Sequence, residues 1–252
     1  MAPSNIGERG PEGVREELEV TFFIPCLNEE RHVAATLETV VAAAAEFPWT
    51  FEVIVVDDGS TDRTADVVAD FCRANAALPV RLVRNPSNLG LARSFLDAAF
   101  RGRGRYYRLI CGDNIEPKAS MAAVLRHMGE ADIVMPYYPD IPGKSAVGRT
   151  LSRVYNGLVN LISGHRIRYY NGNPLYRRHQ VMRWAPHGNG FGYQADLVTQ
   201  LLDLDCTYVE VPVAGIHRPK AGSSLRIRSL MSVAHSLLEI AFRRLRAIFL
   251  KR

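Results

Sequence analysis

The chain has 252 residues, 47% hydrophobic and 23% charged, enough to bury a sizeable core and ordinary for a soluble globular protein near the upper size of one domain. Its net charge of +5 is lopsided: residues 217–252 carry nine Lys or Arg against one acid, Glu239, a local +8 that leaves about −3 for residues 1–216. That asymmetry, without an RNA-binding aromatic signature or a Cys/His finger, argues against a nucleic-acid binder and for an anionic surface or ligand met by the C-terminus.

Residues 1–18 are polar, lack the apolar core of a signal peptide and are expected to be partly disordered. Val20 to Pro25 reads as a strand running into Pro25-Cys26-Leu27-Asn28-Glu29-Glu30. A helix is expected from about Glu29 to Phe47, with Val33, Leu37, Val40, Val41 and Ala44 on one face and Pro48 beyond its end. The run Val53 to Val56 is apolar without alternation, as suits a strand buried on both faces of a parallel sheet. It stops at Asp57-Asp58-Gly59-Ser60-Thr61-Asp62, where Gly59 permits a sharp turn and Ser60 or Thr61 can cap a helix carrying Val67, Val68 and Phe71 inward. Carboxylates at that strand end lie where open α/β sheets bind ligands, although the same residue types serve plain loops and caps.

Val80 to Arg84 is a short third strand, and Asn85 to Arg93 a turn opening a third helix; Asn88 there equally suits an Asx turn. A fourth strand, Arg105 to Cys111, ends in Gly112-Asp113-Asn114-Ile115-Glu116-Pro117. A fifth, Ala131 to Met135, is followed by a loop and by a helix over Ser145 to Ser163 that carries Arg149 and Arg153. Phe191 opens a helix through Leu202, and Asp196 in its first turn also suits the helix dipole. Thr207 to Val213 is a late strand. Leu225 to Leu250 is an amphipathic helix whose longest stretch free of charge, Ser229 to Leu238, is half the ~20 residues a membrane span requires. It is expected to lie on a bilayer, the alternative being an apolar face packed on the domain. The four cysteines, Cys26, Cys72, Cys111 and Cys206, form no C-x-x-C pair and have no close histidine, which points to neither zinc nor disulfides but to a reduced, cytoplasmic setting.

Strand, P-x-x-N-E, helix, strand, V-D-D-G-S-T-D, helix resembles the opening of the family 2 glycosyltransferases, and the likeness extends over roughly residues 19–224, including Glu210-Val211-Pro212. The resemblance implies a GT-A-like, Rossmann-type α/β sandwich with a mixed, mainly parallel sheet, to which the basic amphipathic C-terminal helix at 225–252 is added. It implies a nucleotide-sugar donor held by Pro25, Leu27, Asn28, Glu29, Asp57, Asp58, Asn88, Arg93, Gly112 and Asp113. Asp113 would ligate Mg2+ or Mn2+, hard ions that prefer oxygen. Cys111 stands where the family's D-x-D motif has its first acid, a departure that puts metal affinity in doubt. Asp196 takes the place of a catalytic base. The branch it most resembles uses polyprenyl phosphate at the inner face of the membrane, so Arg149, Arg153, Arg218, Lys220 and Ser224 are the expected acceptor contacts. A saccharide or other hydroxyl acceptor, or a degenerate nucleotide-sugar-binding scaffold favoured by Cys111, are the other readings; the oligomeric state is left open.

Overall fold

The computed structural model describes residues 18–140, 143, 145–186, 192–215 and 227–250. In chain order the elements are β1 (Val20–Cys26), α1 (Val33–Ala44), β2 (Phe51–Asp57), α2 (Thr64–Ala74), β3 (Val80–Arg84), α3 (Leu91–Arg101), β4 (Tyr106–Leu109) and α4 (Lys118–Arg126). There follow β5 (Ile133–Tyr137), α5 (Ala146–Ser163), β6 (Leu175–Arg177), α6 (Arg178–Val181), α7 (Tyr193–Asp203), β7 (Tyr208–Pro212) and α8 (Ile227–Leu250). One sheet in the order β3-β2-β1-β4-β6-β5-β7 holds them together. Its strands pair in parallel except at β6, which runs antiparallel to both neighbours. The fold is therefore the expected mixed, mainly parallel α/β sandwich.

Both faces of the sheet are covered, which explains the unbroken apolar run in β2. Val53 and Val55 pack with Val33, Leu37 and Val40 of α1, Val68 of α2 and Met121 and Val124 of α4. Ile54 and Val56 point the other way, into a layer of Ala92 and Phe95 from α3, Val159 from α5, Leu197 and Leu201 from α7 and Ile240 from α8. Alternation is absent from the sequence because neither face meets water.

Most elements begin and end within a few residues of expectation, and the differences have local causes. The first helix starts later, at Val33, because the chain from Glu29 to His32 is occupied in holding the neighbouring loop. The second starts at Thr64, beyond the caps expected at Ser60 or Thr61; its first turn is fixed by Asp62, whose Oδ1 accepts from Thr64 N at 3.0 Å. Ser145 caps α5, accepting from Gly148 N at 3.1 Å, and Gly164 at φ 78° closes its other end in the left-handed region. The C-terminal helix packs on α5 and α7 and buries Ile240 in the common core. That is the domain-packing alternative, realised on one face of the helix.

Candidate active site

The two motifs that frame the sequence meet at the carboxyl ends of β1 and β2. Asn28, at φ 59°, accepts through Oδ1 from Thr61 N at 2.9 Å and donates its own N–H to Ser60 Oγ at 2.9 Å. Glu29 N donates to Thr64 Oγ1 at 2.8 Å, Glu30 N to Asp62 Oδ2 at 3.2 Å, and Arg63 N returns a bond to Glu30 Oε2 at 3.0 Å. P-x-x-N-E and D-G-S-T-D are thus two halves of one interlocked turn, which is why they occur together. Pro25 is the last residue but one of β1, beside this turn, and Leu27 stands at its rim with its side chain exposed.

The paired carboxylates divide their work. Asp58 is buried and fastens β2 to the chain ahead of α3: Oδ1 accepts from Asn85 Nδ2 at 2.6 Å, Leu89 N at 3.0 Å and Ser94 Oγ at 3.2 Å, and Oδ2 from Gly90 N at 3.0 Å. Asp57 Oδ1 accepts from Ser60 N at 3.1 Å, and its Oδ2 lies 3.7 Å from Arg84 Nε. Gly59 has φ 79°, and a Cβ there would sit 2.7 Å from the backbone carbon of Ser87, so only glycine lets the two loops touch. Asn88 forms the Asx turn, its Oδ1 accepting from Gly90 N at 2.9 Å. Arg93, expected at the nucleotide, is exposed and paired with Asp97 at 2.8 Å along α3.

The acidic loop after β4 reaches the same corner. A Cβ on Gly112 would lie 2.8 Å from Cys26 Sγ and 3.0 Å from the Pro25 carbonyl, and the Gly112 carbonyl accepts from Thr36 Oγ1 at 2.9 Å. Glycine therefore brings buried Asp113 close beside the end of β1. Cys111 Sγ accepts from Asn173 Nδ2 at 3.6 Å, and Asn173 Oδ1 accepts from Gln194 Nε2 at 2.8 Å. Neither Asn173 nor Gln194 was a sequence candidate. Beneath them, fully buried Arg108 donates through Nε to the Asn173 carbonyl at 3.2 Å and pairs with buried Glu116. Burial pushes the Glu116 carboxyl up, and the Arg108 charge opposes that shift. A charged residue inside Tyr-Tyr-Arg-Leu-Ile was the available signal for this pair.

Beyond β5 the chain encloses a cavity of about 210 Å³ lined by Tyr137, Tyr138, Asp140, Arg149, Arg153 and Arg168, among others. The structure brings Arg149 and Arg153 together from one side of α5 and adds Arg168, which sequence reasoning passed over. Arg168 stacks 4.6 Å over the Tyr137 ring, and Glu210 of β7 accepts from Arg168 N at 2.7 Å, which explains the Glu-Val-Pro strand. Burial raises the Tyr138 phenol; Glu116 and Cys111 raise it further, placing this wall beside the acidic loop. Arg218, Lys220 and Ser224 lie outside the described residues.

A turn of latched motifs, a buried carboxylate on a glycine loop and an arginine-lined cavity make up the candidate site, and a match to the model "Glycosyl transferase family 2" over residues 21–207 decides the family. The chain belongs to glycosyl transferase family 2. It is 25% identical over 245 residues to a dolichyl-phosphate beta-glucosyltransferase, ALG5C, of Trichomonas vaginalis, covering 89% of this chain and 71% of that one. It is 30% identical over 165 residues to the dodecaprenyl-phosphate galacturonate synthase of Rhizobium johnstonii, which covers 64% of this chain but only 48% of that relative. Among solved structures, glucosyl-3-phosphoglycerate synthase from Mycobacterium tuberculosis shares the fold at a TM-score of 0.67 and 20% identity, over 89% of this chain and 80% of that one. The mannosyltransferase PcManGT from Pyrobaculum calidifontis, solved with GDP-Man and Mn2+, does so at 0.65 and 17%, over 88% and 64%.

In this glycosyltransferase Asp196, the expected base, is only 5% exposed. Its Oδ1 accepts from Arg243 Nη1 at 2.6 Å, and its Oδ2 from Trp184 Nε1 at 2.9 Å and Gln200 Nε2 at 3.0 Å. Arg243 also reaches Thr199 Oγ1 at 2.5 Å and Asp203 at 3.2 Å, and Asp203 further engages Arg244 and His165. Those contacts pin α8 to α7. A buried carboxylate that already accepts three hydrogen bonds, one of them from a guanidinium, is poorly placed to take a proton from a substrate. Asp196→Asn is expected to lower folding stability by about 2–4 kcal/mol, because it takes from the guanidinium the nearer and more buried of its two carboxylate partners. Urea unfolding of the variant checks this; an unchanged midpoint would mean that the pair does not anchor the helix.

Proposed function

We propose that this glycosyltransferase moves a sugar, with inversion, from a nucleotide-sugar donor to a polyprenyl phosphate at the cytoplasmic face of the membrane. The observation that carries this reading is the cavity in which Arg149, Arg153 and Arg168 converge beside the acidic loop, while Asp196 is taken up by α8. Guanidinium groups suit a phosphate. A phosphate monoester has its second pKa near ~6 and attacks as a dianion, so no carboxylate need remove a proton. The two relatives named for lipid phosphates support the same acceptor class.

The donor nucleotide would lie over the latched turn, with Asp57 and the backbone from Pro25 to Glu29 against base and ribose, and Asn88 and Arg93 toward its outer edge. A divalent ion fits the acidic loop: the donor set is the buried oxygen ligand Asp113, brought in by Gly112. Among the described residues no cluster of three or more His, Cys, Asp or Glu stands ready to hold a metal alone, so diphosphate and water would complete the shell, as Mg2+ allows. Bound there, Mg2+ or Mn2+ would offset charge on the leaving diphosphate. The acceptor phosphate oxygen, held by the arginines, attacks the anomeric carbon opposite the diphosphate. A new C–O bond forms, the bond to the diphosphate breaks, and nucleoside diphosphate departs with the electron pair.

A hydroxyl acceptor is the second reading, and one observation favours it: Asp140 lines the same cavity and offers a carboxylate. The two separate on Asp140→Asn. A phosphate acceptor predicts a turnover within about threefold of the parent, whereas loss of a general base costs about a hundredfold or more. A collapse of that size in steady-state kinetics would move the assignment to a hydroxyl.

A further inference from the structure

We infer that α5 and α8 together form the surface on which this glycosyltransferase lies against an anionic phospholipid bilayer, an inference that rests on the lipid-phosphate reading for its purpose. Helix α5 exposes Val147, Leu151, Val154, Leu158 and Leu161, spaced four, three, four and three apart and so stacked on one face, with Val147 67% and Leu161 80% accessible. Thr150 and Gly157 complete this face, and a Cβ added to Gly157 meets nothing within 4 Å. The opposite face, through Asn156, Val159 and Ser163, is buried. Packed on α5 is α8, which exposes Leu238, Phe242 and Leu245 at the same kind of spacing while Ile240 enters the core. Eight exposed large apolar side chains on two touching helices exceed the scattered ones a soluble surface carries.

Charge selects the occupant. Helix α5 has no acid, and Arg153 lies toward the edge of its stripe, with Arg149 one turn earlier on the side of Asn156; Arg246 is exposed one turn beyond Phe242 on α8, whose one acid, Glu239, is partly buried. A second copy docking by two-fold symmetry would set these arginines against their own kind, whereas anionic headgroups complement them and the apolar stripe enters the acyl boundary. Arg153 also lines the acceptor cavity, together with Arg149 behind it, so a bilayer on this face meets the rim of the cavity at headgroup level.

Flotation of the full chain with phosphatidylcholine vesicles, with or without phosphatidylglycerol and in both cases free of polyprenyl phosphate, tests this surface. Binding is expected on the phosphatidylglycerol vesicles and at least about tenfold less on phosphatidylcholine alone. Leu151→Gln with Leu158→Gln is expected to weaken it about a hundredfold without lowering the melting temperature, since both side chains are already exposed. Three results would overturn the inference: no flotation on the anionic vesicles, undiminished flotation of the double variant, or a concentration-dependent dimer in sedimentation that the same substitutions dissolve. Flotation without transfer to a lipid phosphate would remove the acceptor reading and leave the surface standing; transfer without flotation would do the reverse.

Discussion

Asp113→Asn is expected to remove about a thousandfold of turnover while leaving the protein folded. Asparagine keeps the shape and one oxygen but not the negative charge, and with no other metal-holding cluster among the described residues the charge at this loop is what a divalent ion would answer to. Losing charge stabilisation of the leaving diphosphate is worth about 4 kcal/mol, a factor near a thousand. Folding is a separate matter: a buried carboxylate made neutral relieves desolvation, so the thermal midpoint should hold or rise. Turnover measured against added Mn2+, beside a melting curve, checks both halves. Full parent activity in excess chelator would remove the metal from the account.

Replacing Arg149 and Arg153 together by alanine should raise the KM for a lipid-phosphate acceptor about a hundredfold, with donor KM within about twofold of the parent. Each charge-assisted bond to a phosphate is worth about 1.5–3 kcal/mol, discounted here because both side chains are largely exposed at the cavity wall. Arg168 remains in the double variant, stacked on Tyr137, so binding should weaken without vanishing. Initial rates over a range of short-chain isoprenyl phosphate give the split. A fall in kcat at constant acceptor KM would mean that these arginines act on the reacting centre and not on the acceptor.

The sheet and its order of elements were legible because burial writes itself into composition: Val53 to Val56 has to be central, and the acidic and glycine residues after it have to turn. The paired motifs were legible as a pair because Asn28, Ser60, Thr61 and Thr64 bond across the two loops. What each carboxylate does was not, since Asp57 and Asp58 look alike in sequence and differ only in the donors that tertiary structure brings, four to Asp58 from the segment Asn85 to Ser94. The donors around Asp196 were hidden for the same reason. Its partner Arg243 lies 47 residues away on a helix that amphipathicity alone made equally fit for a bilayer or for the core, and the structure buries Ile240 while leaving Leu238, Phe242 and Leu245 exposed. Arg168 and Asn173 were invisible because their significance is positional: one closes the cavity, the other touches Cys111.

The central claim is transfer to a lipid phosphate, and incubating the purified chain with labelled nucleotide sugars, Mg2+ and polyprenyl phosphate tests it most directly. The account predicts label extracted into organic solvent as an acid-labile glycosyl phosphate, dependent on the lipid phosphate and lost in Asp113→Asn. Label that stays in the aqueous phase on a saccharide, with none on the lipid, would contradict it.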